Sequence, residues 1–410
     1  MSDVRVEDIR AAATLLNGIV WPTPTSPARR LSATLGVDVA LKLENLQLTG
    51  SFKARGAFVK LDSLDAGQRA RGVIAMSAGN HAQGVAFHCQ RLGIPATIVM
   101  PKSTPYTKVE RTAALGATVK LKGSSLAEAA DYARERAQAK ALAFIHPYDD
   151  PLIVAGQGTV GLEMIFARPD LDVIVVPIGG GGLIAGIATA VKALKPSITV
   201  IGVQTQLYPD MARRFGKDVP DRGDIALATL AEGIAVKSPG RLTGRIVAAL
   251  VDDIVLVSET AVERAVNLLM AEEKLVAEGA GAAALAAMLT EPARFAGRKV
   301  GLVISGGNID QRMLASILMR GLARDARIAR LRIEINDAPG MLAKVSGAIA
   351  AAGGNIIEIY HQRLFSDVPV MRADLDVLIE TRGAAHLAEI EARLAREGFA
   401  SRRLGNTAGA

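Results

Sequence analysis

Cysteine is nearly missing: Cys89 stands alone in 410 residues. That excludes an internal disulfide framework and leads one to expect a reducing, cytoplasmic setting. Aromatic residues are scarce as well, with one Trp and five Tyr, so no stacking platform for nucleic acid is visible despite a formal net charge of +7. The positive charge is not concentrated either. Its densest run, Arg320 to Arg332 (RGLARDARIARLR), falls where the domain rhythm changes, so the surplus is read as solubility and attraction for small anions. The first residues, MSDVRVEDIR, carry acids and no apolar core and do not read as a signal peptide. One long uncharged run exists, Val173 to Val191, but Pro177 and Gly179 to Gly182 break it into a β-branched strand and an Ala-rich helix. A buried strand-loop-helix therefore replaces a membrane span. Nucleic acid, membrane and metal are all left out of the expected partners.

Half the residues are hydrophobic and 22% are charged, in a chain longer than one core usually organises, so two or three packed units are expected. From Gly72 strands and helices alternate: GVIAMS, a helix from His81 to Leu92, ATIVMP from Ala96, a helix around Tyr106 to Leu115, ATVKLKG from Ala117, a helix from Ser124 to about Ala139, and AFIHPY from Ala143. Four more strands follow, Asp172 to Ile178, Ile198 to Gln204, Asp253 to Ser258 and Lys299 to Ser305, with Thr260-x-x-Glu263 as the capping box of the helix after Ser258. Such alternation predicts two α/β lobes built on parallel sheets, with ligands at the carboxyl ends of the strands. Beyond the arginine-rich run the order becomes strand (Leu331 to Asn336), turn, helix (Met341 to Ala352), strands (Asn355 to Arg363 and Ala373 to Thr381), helix (Ala384 to Arg396) and a short strand from Gly398. That is a βαββαβ unit.

Three Gly-rich signals follow strands. Gly179, Gly180, Gly181 and Gly182 let backbone N–H groups approach an anion at a helix start, which favours a phosphate cup over a plain turn. The same stretch, Gly180-x-Gly182-x-x-Ala185, fits a dinucleotide fingerprint, but Gln204 stands where that fingerprint wants an acid, and no Gly-Lys-Ser/Thr makes it a P-loop. Ser77-Ala-Gly-Asn-His81 is read either as a helix cap by Ser77 and Asn80 or as a holder of a carboxylate or phenolic oxygen. Ser305-Gly-Gly-Asn308 turns a hydroxyl into the same crevice. Finally, LTGSFKARGA places Lys53 after Ser51 and Phe52, in the first turn of a helix capped by Ser51, with small residues around it. A desolvated lysine forms a Schiff base with an aldehyde, and pyridoxal phosphate carries both an aldehyde and a phosphate.

Together SFKARGA, SAGNHAQG, the tetraglycine and SGGN resemble the threonine dehydratase (threonine ammonia-lyase) family of fold-type II pyridoxal-phosphate enzymes over about residues 5 to 320, and NDAPGML with GGNIIEIYHQRLF is similar to an ACT domain. The resemblance implies a two-lobed, tryptophan synthase β-like α/β catalytic region (1–320, small lobe about 50–148 inserted in the large lobe), a linker (321–330) and a ferredoxin-like βαββαβ ACT domain (331–404). It implies Lys53 as the Schiff-base lysine, Phe52 beside the ring and Asn80 on the phenolic oxygen. Gly179 to Gly182 would hold the phosphate, Ser305 would face the pyridine nitrogen, and Ser77, Ala78, Gly79, Asn80 and His81 would take the substrate carboxylate.

The implied reaction converts L-threonine, and also L-serine, to a 2-oxo acid and ammonia, with isoleucine biosynthesis as its setting. Serine or 3-hydroxyaspartate ammonia-lyases and serine racemase are the near alternatives. Racemases resemble SSGNH at the loop where this chain has Ala78, which favours elimination. A catalytically dead amino-acid sensor is opposed by the intact Lys53, and a nicotinamide oxidoreductase by Gln204. The C-terminal unit is expected to pair with a second copy in a homodimer or homotetramer. A branched-chain amino acid would then bind near Asp337, Pro339, Gly340, Leu342 and Asn355.

Overall fold

The computed structural model describes residues 4–219, 227–362, 369 and 371–405. Its strands run, in chain order, β1 (Thr25–Pro27), β2 (Asp38–Leu43), β3 (Val73–Met76), β4 (Ala96–Met100), β5 (Thr118–Leu121), β6 (Ala143–Phe144), β7 (Val173–Pro177), β8 (Thr199–Thr205), β9 (Asp253–Val257), β10 (Lys299–Ile304), β11 (Ile328–Asn336), β12 (Asn355–Gln362), β13 (Arg372–Glu380) and β14 (Ser401–Arg403). Two compact units result, Met1–Ile309 and Asp310–Ala410.

The first unit holds two sheets. A six-stranded sheet, β1-β2-β10-β7-β8-β9, is parallel apart from its β1–β2 pair, and a four-stranded sheet, β5-β4-β3-β6, is parallel throughout. The smaller sheet interrupts the larger one in the chain, between β2 and β7. Every residue of β7 (VIVVP) is buried, as a strand covered by helices on both faces requires. Two of those helices, Pro151–Ala167 and Gly182–Leu194, touch backbone to backbone. A Cβ on Gly186 would lie 2.4 Å from the Val154 carbonyl oxygen, so only glycine permits that approach.

The second unit opens with the helix Gln311–Arg324 and carries the antiparallel sheet β12-β13-β11-β14, the strand order of a ferredoxin-like fold. Its core is drawn from alternate residues of β11 and β13 and from Val345, Ile349 and Leu387 on the helices.

Several expectations shift. The segment 321–330 is not an open linker: it ends one helix and begins β11, and the units divide earlier, between Ile309 and Asp310. The helix after β9 is capped by Ser258, whose hydroxyl accepts from Ala261 N at 3.2 Å, so Thr260 lies inside the helix and no capping box forms there. Ser51 caps nothing, since Phe52 already has helical backbone angles. Strands β1 and β2 went unread in the sequence. The strand expected to reach Arg363 is described to Gln362, and Arg363 lies outside the described residues.

Candidate active site

Lys53 is the first residue of the helix Lys53–Asp62, and the chain leading into it is stitched to the end of β10. Phe52 N donates to Ser305 O at 3.2 Å, Gly307 N donates to Gly50 O at 2.9 Å, and Ser51 bridges Gly306. Backbone pairing thus joins SFK to SGGN. The Lys53 ammonium donates to the Pro147 carbonyl at 2.7 Å and lies 5.0 Å from the centroid of the Phe52 ring. Among the described residues no carboxylate touches it. Burial therefore pulls its pKa down to about 8, opposed only by the through-space charge of Glu278. Ser51 is wholly buried, and its hydroxyl, like the buried Thr49 hydroxyl, has no partner among the described residues. Buried polar atoms of this kind are rarely left without a partner, be it protein, water or ligand.

Tyr148, one residue beyond the Pro147 carbonyl, ties Lys53 to the tetraglycine. A Cβ on Gly180 would meet the Tyr148 ring at 2.3 Å, and Gly181 has φ +94°, so neither position accepts a side chain. The glycines end in the first turn of the helix Gly182–Leu194, where unpaired N–H groups and the helix dipole favour an anion. Thr243 steadies the loop by donating from its hydroxyl to Gly180 O at 2.6 Å. Asp149 in turn accepts from Arg241 N and Thr243 N at 2.9 and 3.1 Å, which docks the helix Arg241–Leu250 beside the cup.

The loop after β3 differs from expectation in its details. The Ser77 hydroxyl accepts from Gly79 N at 3.1 Å, and the N-cap of the helix Asn80–Leu92 is Gly79, which contributes no side-chain bond. The Asn80 amide does not cap the helix. Its Nδ2 donates to Glu278 Oε1 at 2.6 Å, while its Oδ1 accepts from Asn308 Nδ2 at 2.8 Å. The His81 side chain is turned into the core with Nε2 3.0 Å from Ile145 O. Burial, then the charge of Lys53, push its pKa down to about 3. A neutral ring donating to that carbonyl is not available to a substrate carboxylate, so the expectation for the His81 side chain is corrected; Ala78 and Gly79 remain half-buried on the loop. Ser305 follows β10 and is 3% exposed, and its hydroxyl makes only a long bond of 3.4 Å to Ala280 O among the described residues.

All four sequence signals therefore belong to one connected site. Glu278 and Tyr148 complete it and were missed. Glu278 had a readable signal, as the only charged residue from Leu275 to Thr290. The expected effector residues behave differently. Asp337, Pro339, Gly340 and Leu342 follow the end of β11, whereas Asn355 opens β12 opposite Glu380 at the other end of the same sheet. Nine residues of strand, about 30 Å at 3.4 Å each, separate the two ends, so one copy of the chain does not assemble them into a single site.

Residues 16–306 match the family model of the pyridoxal-phosphate dependent enzyme. The L-threonine ammonia-lyase of Thermotoga maritima is 42% identical over 402 residues, 98% of this chain and 100% of that protein, so the likeness spans both compact units. The catabolic L-threonine dehydratase of Escherichia coli K12 is 45% identical over 318 residues, 77% of this chain and 96% of its own length. Among solved structures, the threonine deaminase of T.th. superposes with a TM-score of 0.70 at 40% identity, covering 75% of this chain and 99% of its own.

Proposed function

The chain belongs to the pyridoxal-phosphate-dependent enzymes and is an L-threonine ammonia-lyase, and from that premise we propose how its own residues carry the conversion of L-threonine to 2-oxobutanoate and ammonia. The residues fit the cofactor. A buried amine lacks a counter-ion among the described residues, a glycine cradle rejects any Cβ, and the Ser51 and Thr49 hydroxyls are buried without partners there. Lys53 would hold the aldehyde, Phe52 would lie beside the ring, and Asn80 would donate to the phenolic oxygen. Gly179, Gly180, Gly181 and Gly182 would receive the phosphate, and Ser305 would meet the pyridine nitrogen. Bound there, pyridoxal phosphate supplies an aldehyde for the substrate amine and a conjugated ring that accepts the electrons of the breaking Cα–H bond.

The observation that carries the reading is the Lys53 amine with one neutral hydrogen-bond partner. An amine with a pKa near 8 is a competent base close to neutral pH, so Lys53 Nζ, when not bonded to the cofactor, would take the proton from the substrate Cα. Ser77, Ala78, Gly79 and Asn80 hold the substrate carboxylate at the start of the helix Asn80–Leu92, where the dipole favours it. Ser305 presents a neutral hydroxyl. It would not hold a proton on the ring nitrogen as a carboxylate would, which would favour elimination, the Cα proton taken by Lys53 and the β-hydroxyl together making up the water lost, over side reactions that store charge on the ring. The released enamine tautomerises and hydrolyses to the oxo acid and ammonia.

The second unit is read as an ACT-type regulatory domain. The βαββαβ order supports that reading, with a branched-chain amino acid as effector and with Asp337 to Leu342 brought to Asn355 only through pairing of two copies in a homodimer or homotetramer. The name of the E. coli relative favours a degradative role over isoleucine biosynthesis. No described helix is long and apolar enough to cross a membrane, and a cytoplasmic location is part of the proposal.

One set of measurements tests all of this. Borohydride reduction of the purified enzyme followed by peptide mapping should place the cofactor on Lys53, and an adduct at another residue overturns the site. Oxo-acid and ammonia assays over β-hydroxy amino acids should rank threonine first, and an unchanged rate with isoleucine and valine removes the effector.

A further inference from the structure

We propose that Glu278 is a positioning residue of the lyase site, acting with Asn308 to fix which end of the Asn80 amide faces the cofactor. The proposal rests on the reading that Asn80 donates to the phenolic oxygen. An asparagine amide has a donating and an accepting end of nearly equal shape, so a neighbour of known polarity must decide its orientation. Here the deciding neighbour is a backbone carbonyl. The Asn308 side chain meets Thr49 O at 2.8 Å, and because a carbonyl only accepts, the Asn308 atom there is its nitrogen. The same nitrogen meets Asn80 at 2.8 Å, so the Asn80 atom is its oxygen. The Asn80 nitrogen is thereby directed to Glu278 Oε1 at 2.6 Å, and one of its two hydrogens remains for a ligand. The asparagines of the two loops, Asn80 and Asn308, are thus coupled, and Glu278 closes the chain.

The carboxyl is itself held in a built position. Glu278 N donates to Gly306 O at 3.0 Å. A Cβ on Gly306 would lie 2.5 Å from Glu278 Oε1 and 3.2 Å from Asn80 Nδ2, and a Cβ on Gly281 would lie 2.1 Å from Gly306 O. A side chain at the first Gly of SGGN would therefore push the carboxyl from the place where it meets Asn80. Burial pushes the Glu278 pKa up to about 7, against the hydrogen bond from Asn80 and the charges of Lys108 and Lys53, with Glu232 adding to the rise. Near neutral pH the group beside Asn80 accordingly changes charge. Without it, Asn308 alone holds the amide, and a turn about that single bond would set the Asn80 oxygen against the phenolic oxygen, an acceptor against an acceptor.

The test uses the holoenzyme with E278A, E278Q, N80A and the E278A/N80A double variant, reading kcat, KM for threonine, the pH midpoint of the cofactor's visible band, and melting temperature. A positioning role requires E278A to lower kcat about 10- to 100-fold with KM little changed, on the scale usual for groups that orient an active-site residue. It also requires the band midpoint to move in the direction seen for N80A, the double variant to be no worse than N80A alone, and E278Q, which keeps an acceptor oxygen, to recover most of the loss. If N80A moves band and rate while E278A moves only the melting temperature, or if the two losses multiply in the double variant, the proposal is overturned and the reading of Asn80 stands. If N80A itself moves neither, that reading falls and takes the proposal with it.

Discussion

Lys53 and Arg55 are separated by one residue at the start of a single helix, and their surroundings are opposite. Arg55 is fully buried among carboxylates: its Nε and Nη2 donate to Glu44 at 2.8 Å each, Nη2 also donates to Glu163 at 2.9 Å, and Nη1 donates to Thr159 at 3.1 Å. Lys42 completes the cluster, bonding Glu163, so two cations meet two anions. Burial alone would lower the Arg55 pKa, but Glu44 and Glu163 outweigh it and hold the group even further above its ordinary range. Among the described residues Lys53 has a backbone carbonyl as its hydrogen-bond partner and no carboxylate in contact, and there burial wins. Burial, then, does not by itself make a cation reactive. The number of anions within reach decides whether it becomes an anchor or a base.

The sharpest way to break this contrast is to remove each cation. Lys53→Ala should abolish lyase activity, by about 10³-fold or more since it removes both the covalent anchor and the base, with a melting temperature near that of the wild type. Substantial oxo-acid production by that variant would end the assignment of Lys53 as the base. Arg55→Ala should do the reverse. It removes the two charge-assisted bonds of buried Glu44, leaving Lys42 at 4.0 Å as its remaining cation, and is expected to cost about 3–5 kcal/mol of stability, measured by denaturant unfolding, while the folded fraction keeps its activity. An Arg55 variant that is stable but inactive would place Arg55 in the chemistry and erase the distinction.

A smaller effect comes from pH. Burial lowers the pKa of His81 to about 3 and of His88 and His146 to about 4, each against an ordinary value of 6.5. Between pH 6.5 and 4 the unfolded chain binds protons that the folded one refuses, so the stability these residues contribute is full above pH 6.5 and is lost as pH falls through that window. Glu44 is lowered by Arg55 despite its burial and loses its contribution only below the ordinary carboxylate value of 4.5. Unfolding midpoints at about pH 7.5, 5.5 and 4 check the order, and equal stability at the two higher values would contradict it.

How much of this could be read in advance depended on whether the physics was local. The tetraglycine was legible because its requirement is steric and lies in four adjacent residues, and Lys53 because an amine among small residues after a Ser-Phe pair is itself a local anomaly. The strands β7 to β10 showed as β-branched runs between turn residues, and the βαββαβ order as alternating periods. The caps failed for the opposite reason. Ser51, Ser77 and Asn80 all have cap-forming side chains, but the Ser51 hydroxyl finds no partner among the described residues, Ser77 bonds inside its loop, and Asn80 is claimed by Glu278 and Asn308, 198 and 228 residues away. His81 looked like a ligand in the motif and is a core residue because its ring is held by Ile145 O.

What the sequence determined by itself is the inventory: an amine, an anion cradle, a neutral hydroxyl at a strand end, and two sheet-forming regions of different rhythm. Each follows from residue types within one turn or strand of one another. Only the tertiary structure decided which of two neighbouring cations is neutralised, which way the Asn80 amide faces, and that Asn355 lies at the far end of the sheet from Asp337. Those outcomes depend on dielectric and hydrogen-bond partners brought in from distant segments, and no stretch of the chain carries its own surroundings.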